Sequence, residues 1–431
     1  MKTNRWISKI LFYVRITMLL SLVFSQFGAA VRPVFATGSV DVGIVLPSED
    51  GRWLQDKTRF QAALSAAGFT SEIQFSQNDS GIEKVNVESL LAKGIQVLII
   101  CPVDGSAAAA AVGEARAAGV KVISYDRLVI NTAAVDFYVT FDSVEVGQAQ
   151  GQYLADHATG TGNPLYLYAG DSSDNNAFLF FEGAWAALQP SIAAGKFVIE
   201  NSSEAVALQN QLTLTHEQQA GIITQIDTHW DPGTARNLAQ ANLEAAGLAG
   251  KGDVSILAPN DGTARSIADV FAADPDVSSY IITGQDAEKD SIQYIIDGKQ
   301  TMTVFKDVRT LVDDAIAAAE TFLGGGTPTA TTHYNNGTID VPADPTAVVT
   351  VDQANLKAAL IDTGYYDICD FFRFGCLLPQ IRWFVGLSGG SDPNQVMVEQ
   401  QVVDDFNAAH PDIWLILEVH PSDTAQNDLA A

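Results

Sequence analysis

The chain has 431 residues, with 51 acidic against 24 basic side chains, a formal charge of −27. So negative a chain argues against nucleic acid or an anionic membrane as its partner. The length suits two or three domains with sizeable cores, and three cysteines do not make a disulfide framework.

The first 36 residues hold Lys2, Arg5, Lys9, Arg15 and Arg32 and no acid. The apolar run Ile16–Val31 follows the basic start, and Val34, Phe35 and Ala36 fit the small-residue cleavage rule. This reads as a secretory signal peptide, because the run is short for a bilayer span. Cleavage is expected near Ala36, with Ala30 as the alternative, and no cysteine stands there to take a lipid anchor. Removing this leader leaves 19 basic against 51 acidic side chains, a net −32.

From Val40 the residues VDVGIVLP form a first buried strand, and Trp53–Gly68 has helical spacing. Ser71–Phe75 reads as a strand and Ile82–Lys93 as a helix ended by Gly94. The stretch 95–127 then lays out a full crossover. Val97–Cys101 is a strand buried on both faces, Ala107–Ala118 is an alanine-rich helix stopped by Gly119, and Val120–Ser124 is the next strand. A strand–helix–strand unit of this length is right-handed, and parallel sheets bind ligands outside the carboxyl ends of their strands. Asp126 and Arg127 are delivered to that place. Cys101, ending its strand, is read as a small core residue. Cys369 and Cys376 are left as either a short-loop disulfide or two free thiols.

The pattern recurs. Asp136–Phe141 leads to a helix at Val144–His157, and Leu165–Ala169 leads through Asp171, Asp174, Asn175 and Asn176 into another helix. After a strand at Gly195–Glu200, the polar Ser202–Asp227 reads as an insertion. Val254–Leu257 leads to Asn260 and Asp261 before a helix at Thr263–Ala273. Tyr280–Thr283 leads to Gln285 and Asp286 before Glu288–Asp297. Met302–Phe305 leads to Lys306 and the long helix Leu311–Leu323; Thr327–Thr332 and Pro342–Pro345 read as loops, and Gln353–Leu360 as a last helix. Any one Asp or Asn at such a turn is equally well a helix cap. Five such loops at equivalent sheet ends favour joint ligand duty.

Taken in order, Asp126-Arg127, Asp174-Asn175-Asn176, Asn260-Asp261, Gly284-Gln285-Asp286-Ala287, TMTVFK (Thr301–Lys306) and Asn335–Gly337 resemble the periplasmic sugar-binding proteins of ABC importers. The D-xylose-binding and multiple-sugar receptors are the nearest kin in pattern, over roughly Val40 to Gly364. The resemblance implies an α/β, type I periplasmic-binding-protein fold: two doubly wound parallel-sheet domains joined by a three-segment hinge that closes on one monosaccharide. It places residues 38–141 with 285–330 in an N-terminal domain and 142–284 with 331–364 in a C-terminal one.

By the same resemblance Arg52, Asp126, Arg127, Asn176, Asp261, Asp286 and Lys306 bind the sugar, while Trp53 and Trp230 wall it. The chemistry agrees: carboxylates accept hydroxyl protons, Arg and Lys donate to sugar oxygens, Asn does both, and rings cover C–H faces. The resemblance implies no cofactor and no metal, a monomer, and a periplasmic location. Its partners are an ABC permease or, in the alternative, a chemoreceptor or sensor kinase. An enzyme such as a glycosidase needs paired acids, but here the acids come with Asn and Arg partners suited to binding. Xylose is the first choice of cargo, with other aldoses open. The first loop, SEDGRW, departs from these relatives in its acidic residues, which bears on the choice of sugar. Asn335–Gly337 reads as a turn rather than a contact.

The tail differs. Residues 365–380 read as a linker, and 381–431 resemble the start of a family 1 extracellular solute-binding protein, cut off after strand, glycine loop, helix and strand. So short a fragment cannot bury a core of its own.

Overall fold

The computed structural model describes residues 40–49, 51–371, 380–385, 393–410 and 413–420. The expected signal peptide and cleavage site lie outside the described residues, as do much of the expected linker and the glycine loop expected in the tail.

The first domain begins with β1 (Val42–Leu46), β2 (Ser71–Phe75), β3 (Val97–Ile100), β4 (Lys121–Tyr125) and β5 (Phe137–Phe141). These strands run parallel in the order β2-β1-β3-β4-β5. Residues of β1 and β3 are buried throughout, because helices cover both sheet faces. Helices Gly51–Ala67 and Val308–Leu323 pack on one face through Phe60, Leu64, Leu311 and Ala315, against Ile44, Ile99 and Ile123. Helices Ser80–Ala92 and Ala108–Ala117 cover the other through Val87, Leu90, Ala111 and Val112.

The second domain is built from β6 (Asn163–Leu167), β7 (Phe197–Ile199), β8 (Gly252–Leu257) and β9 (Val277–Ile282), parallel in the order β7-β6-β8-β9. Helices Ser143–His157 and Asn175–Ala193 pack closely in it because glycines meet at their crossing. A Cβ on Gly147 would lie 1.8 Å from the Phe180 carbonyl oxygen, and one on Gly183 2.0 Å from that of Val144.

The strand pairings correct the expected domain boundaries at two segments. β10 (Met302–Phe305) continues the second sheet: Val304 N–H donates to Gly284 and Asp286 N–H to Val304. Residues 285–305 therefore sit with the second domain, not the first. Conversely β11 (Thr332–Asn335) and β12 (Asp340–Thr346) extend the first sheet, β12 running parallel beside β5, although 331–364 was expected in the second domain. Pro342–Pro345, read as a loop, is part of β12, where Val341 and Ala343 are fully buried on alternate positions. Asn336 and Gly337 turn the chain between β11 and β12, and Gly337 takes φ +88°, a glycine conformation. β13 (Val349–Asp352) returns to pair antiparallel with β10. The chain thus crosses between domains three times, at Asp142, at Lys306–Asp307 and at 347–348, which is the three-segment hinge.

Ser202–Asp227 is not an unpatterned insertion. It folds as helices Ser203–Leu208 and His216–Ile226, the second started by a capping box of Thr215 and Gln218. Gln219 is buried beside Ile222, Ile223 and Ile226, and the three isoleucines are fully buried. The last expected helix, Gln353–Leu360, shrinks to a single wide turn at Lys357–Ile361.

In the tail, β14 (Gln380–Val385) and β15 (Trp414–Val419) pair in parallel around helix Pro393–Ala409. Val385 and Val403 are buried there, while Ile381, Val398 and Val402 stand exposed. Cys369 is disulfide-bonded; Cys376 lies outside the described residues.

Candidate functional site

Strand ends of both sheets face each other across a cleft of about 610 Å³. Of the nine expected site residues, eight line it: Arg52, Trp53, Asp126, Arg127, Asn176, Trp230, Asp286 and Lys306. Asp261 does not. It is fully buried behind the wall, with Oδ1 accepting from Gln300 Nε2 at 2.8 Å and Oδ2 from Glu288 N–H at 2.8 Å and Thr303 Oγ1 at 3.1 Å. Its neighbour Asn260 lines the cleft instead. Burial, with Glu288 and Asp286 nearby, pushes the Asp261 carboxyl well above its ordinary range.

The centre of the cleft is a set of alternating charges. Arg52 Nη1 donates to Asp126 Oδ2 at 2.6 Å and lies 3.9 Å from Asp286 Oδ1; Lys306 Nζ reaches the same Asp286 oxygen at 2.6 Å. Arg52 comes from the start of a helix, and Asp56, one turn on, supports it from below at 3.4 Å while taking a hydrogen bond from the Tyr125 hydroxyl. Burial opposes charge on Asp126, but Arg52, Lys306 and Arg127 outweigh it and hold the carboxyl below its usual value. Asp126 is therefore an anion at neutral pH, ready to accept from hydroxyls.

The loops carrying these groups are held in strained shapes. Asp126, Asp286, Ala287, His229 and Trp230 all have positive φ, between +52° and +99°. Such residues cluster where surrounding structure over-determines them. At Asp126 the restraint is visible: its carbonyl oxygen accepts from Tyr138 Oη at 2.8 Å, Thr140 Oγ1 at 3.0 Å and Asn176 Nδ2 at 2.8 Å.

Aromatic faces close the sides. Trp53 stands beneath Arg52 and Arg127, whose guanidinium carbons lie 4.8 and 5.6 Å from its ring. Trp230 meets Phe180 edge to face at 6.2 Å, and Lys306 lies over Phe141 and Phe180. The Trp230 Nε1 donor is buried and has no hydrogen-bond partner among the described residues. Gly170 leaves room for this indole, since a Cβ there would fall 2.0 Å from Trp230 Cζ2. Gly170→Ala should displace Trp230 and weaken ligand binding about tenfold, the scale of a forced repacking. Calorimetric titration checks this, and unchanged affinity would show that Trp230 does not serve the ligand.

Sequence reasoning missed several groups. Asp174 pairs with Arg127 Nε at 2.9 Å, and Arg265 pairs with Glu288 at 2.7 Å on the second-domain side. Burial raises the carboxyls of both acids against the pull of their arginines. The signal for Asp174 was present in the sequence as the helix cap beside Asn176. At the rim, Asp171 and Asp227 both lie within 3.3 Å of His229 Nδ1, with their remaining oxygens taken by local N–H and hydroxyl donors.

Glu83 lies just behind the cleft-lining Val103 and accepts its N–H at 2.7 Å. Burial pushes this carboxyl up to about 7, against the pull of Val103 and Arg127. The raised value means that its stabilising contribution is complete below about 4.5, the unfolded value, and is lost as pH rises through about 7. The loss amounts to on the order of 3 kcal/mol for this one group. Glu83→Gln should flatten that decline in urea melts at pH 5 and pH 8, and an unaltered pH slope would contradict it.

Two α/β lobes, three crossings and a polar cleft with aromatic walls define a hinged solute-binding protein. The chain belongs to the periplasmic binding protein family: the periplasmic binding protein domain matches residues 42–327. It is 67% identical to a carbohydrate transporter solute-binding protein of Chloroflexus aurantiacus solved with D-glucose, with a TM-score of 0.76, covering 78% of this chain and 99% of that one. It is 34% identical to the multiple sugar-binding periplasmic protein SbpA of Azospirillum brasilense, over 79% of this chain and 93% of that protein. The D-xylose-binding periplasmic protein of Escherichia coli is 30% identical over 73% of this chain and 87% of its own length. Among the described residues no helix is long and apolar enough to cross a membrane.

Proposed function

We propose that this chain is the extracytoplasmic receptor of an ABC sugar importer and that it closes on a single aldose, D-glucose before D-xylose. The observation that carries the reading is the buried chain of alternating charges Asp126–Arg52–Asp286–Lys306 set between aromatic faces. A pyranose presents adjacent hydroxyls that need an acceptor beside a donor, and C–H faces that need a ring; the cleft supplies both. The unpartnered Trp230 N–H adds a donor for a sugar oxygen. Glucose moves ahead of xylose because the relative at 67% identity was solved with glucose. The leader at residues 1–36 would export the chain, and the closed form would present itself to a permease.

The test is a thermal-shift panel of aldohexoses, aldopentoses and a disaccharide at millimolar concentration. Glucose should raise Tm most, since a ligand bound only by the folded state stabilises it by mass action. No shift with any monosaccharide would overturn the assignment.

A further inference from the structure

The expected role of Arg127 is direct donation to the sugar, but the structure gives most of this side chain to protein. Its Nε lies 2.9 Å from Asp174 Oδ2, and its Nη1 donates to the Pro102 carbonyl at 3.3 Å. Arg127 follows a first-domain strand, whereas Asp174 opens a second-domain helix. The pair therefore spans the cleft. Its side chains are 14% and 3% exposed, so this is a desolvated contact rather than a surface ion pair.

The contact is not isolated. Two residues on, Asn176 Nδ2 donates across the same boundary to the Asp126 carbonyl at 2.8 Å, and one residue before, the Ser173 carbonyl accepts from Gly105 N–H at 3.4 Å. One short segment, 173–176, clamps the strand end that carries Asp126 and Arg127. Asp174 is fixed for this duty because its other oxygen caps the helix, accepting from Asn176 N–H at 2.9 Å.

We propose that Asp174 is a positioning residue and closure latch: it pairs with Arg127 only when the domains meet, so that sugar retention, rather than sugar choice, depends on it. The proposal rests on the receptor reading above. Opening the cleft separates the two side chains, and each regains water. The pair thus adds a free-energy difference between closed and open forms, which is the quantity that sets a hinged receptor's affinity and release rate.

Asp174→Asn isolates the effect, since asparagine caps a helix as well as aspartate and keeps the volume. In stopped-flow binding read by tryptophan fluorescence, the variant should release glucose about tenfold faster, the scale of one charge-assisted hydrogen bond. The ranking of glucose, xylose and their epimers should stay as in the wild type. Arg127→Gln combined with Asp174→Asn should be no worse than Arg127→Gln alone. Small-angle scattering without sugar should show a larger radius of gyration for Asp174→Asn than for the wild type. Release within twofold of wild type with an unchanged radius would overturn the latch. So would a reordered sugar ranking, which would make Asp174 a direct ligand. The scattering arm reads the latch without any sugar, so a wild type that binds no sugar would sink the receptor reading separately.

Discussion

Asp126→Ala should weaken sugar binding at least about a hundredfold, the largest effect of any single cleft substitution. Three things are lost together. The anion that accepts sugar hydroxyls disappears; Arg52, 7% exposed and 2.6 Å away, loses its closest carboxylate; and the φ of +60° at this position no longer has a residue that tolerates it. Losing one partner of a buried charged pair costs about 3–5 kcal/mol, and alanine in the left-handed region adds roughly 1 kcal/mol. Asp126→Asn keeps shape and backbone tolerance and removes only the charge, so it should fall between alanine and wild type. Calorimetric titration of both variants with glucose gives the numbers. Alanine binding within threefold of wild type would show that Asp126 is structural.

Asp261→Ala should do the opposite: unfold the protein early while the cleft keeps its ligand groups. Three donors converge on this carboxyl group, from Glu288 N–H, Gln300 and Thr303, and the last two residues are buried. Leaving them unsatisfied costs on the order of 3–5 kcal/mol, or roughly 10 °C in Tm for a domain of this size. Gly284 sits against the same carboxyl group, where a Cβ would lie 2.2 Å from Asp261 Oδ1. Melting followed by circular dichroism separates the two roles. A normal Tm with lost sugar binding would restore Asp261 as a ligand.

Much of this fold is legible in the sequence. The βαβ rhythm from Val40 to Leu323 set the parallel sheets, because strands buried on both faces leave continuous apolar runs and helices end at glycines such as Gly94 and Gly119. Residue type at strand ends then marked the cleft. What escaped had physical reasons. Pro342 and Pro345 masked β12, since proline removes ladder donors and usually marks a break. The Gln-rich composition of His216–Ile226 masked three buried isoleucines whose period is helical, and even Gln219 is buried with them. Asp261 was misplaced because a carboxylate at a strand end looks the same in sequence whether it points into the cleft or behind it. Domain membership of 285–305 and 331–346 depends on which sheet edge each strand joins, and local pattern carries no such information.

The most direct test of the central claim is a crystal structure of the protein grown with D-glucose. One pyranose should lie between Trp53 and the Phe180–Trp230 pair, with its hydroxyls within hydrogen-bond distance of Asp126, Arg52, Asp286 and Lys306 and no oxygen contacting Asp261. A sugar bound elsewhere, or a cleft that excludes it while these four side chains remain paired with one another, would contradict the account.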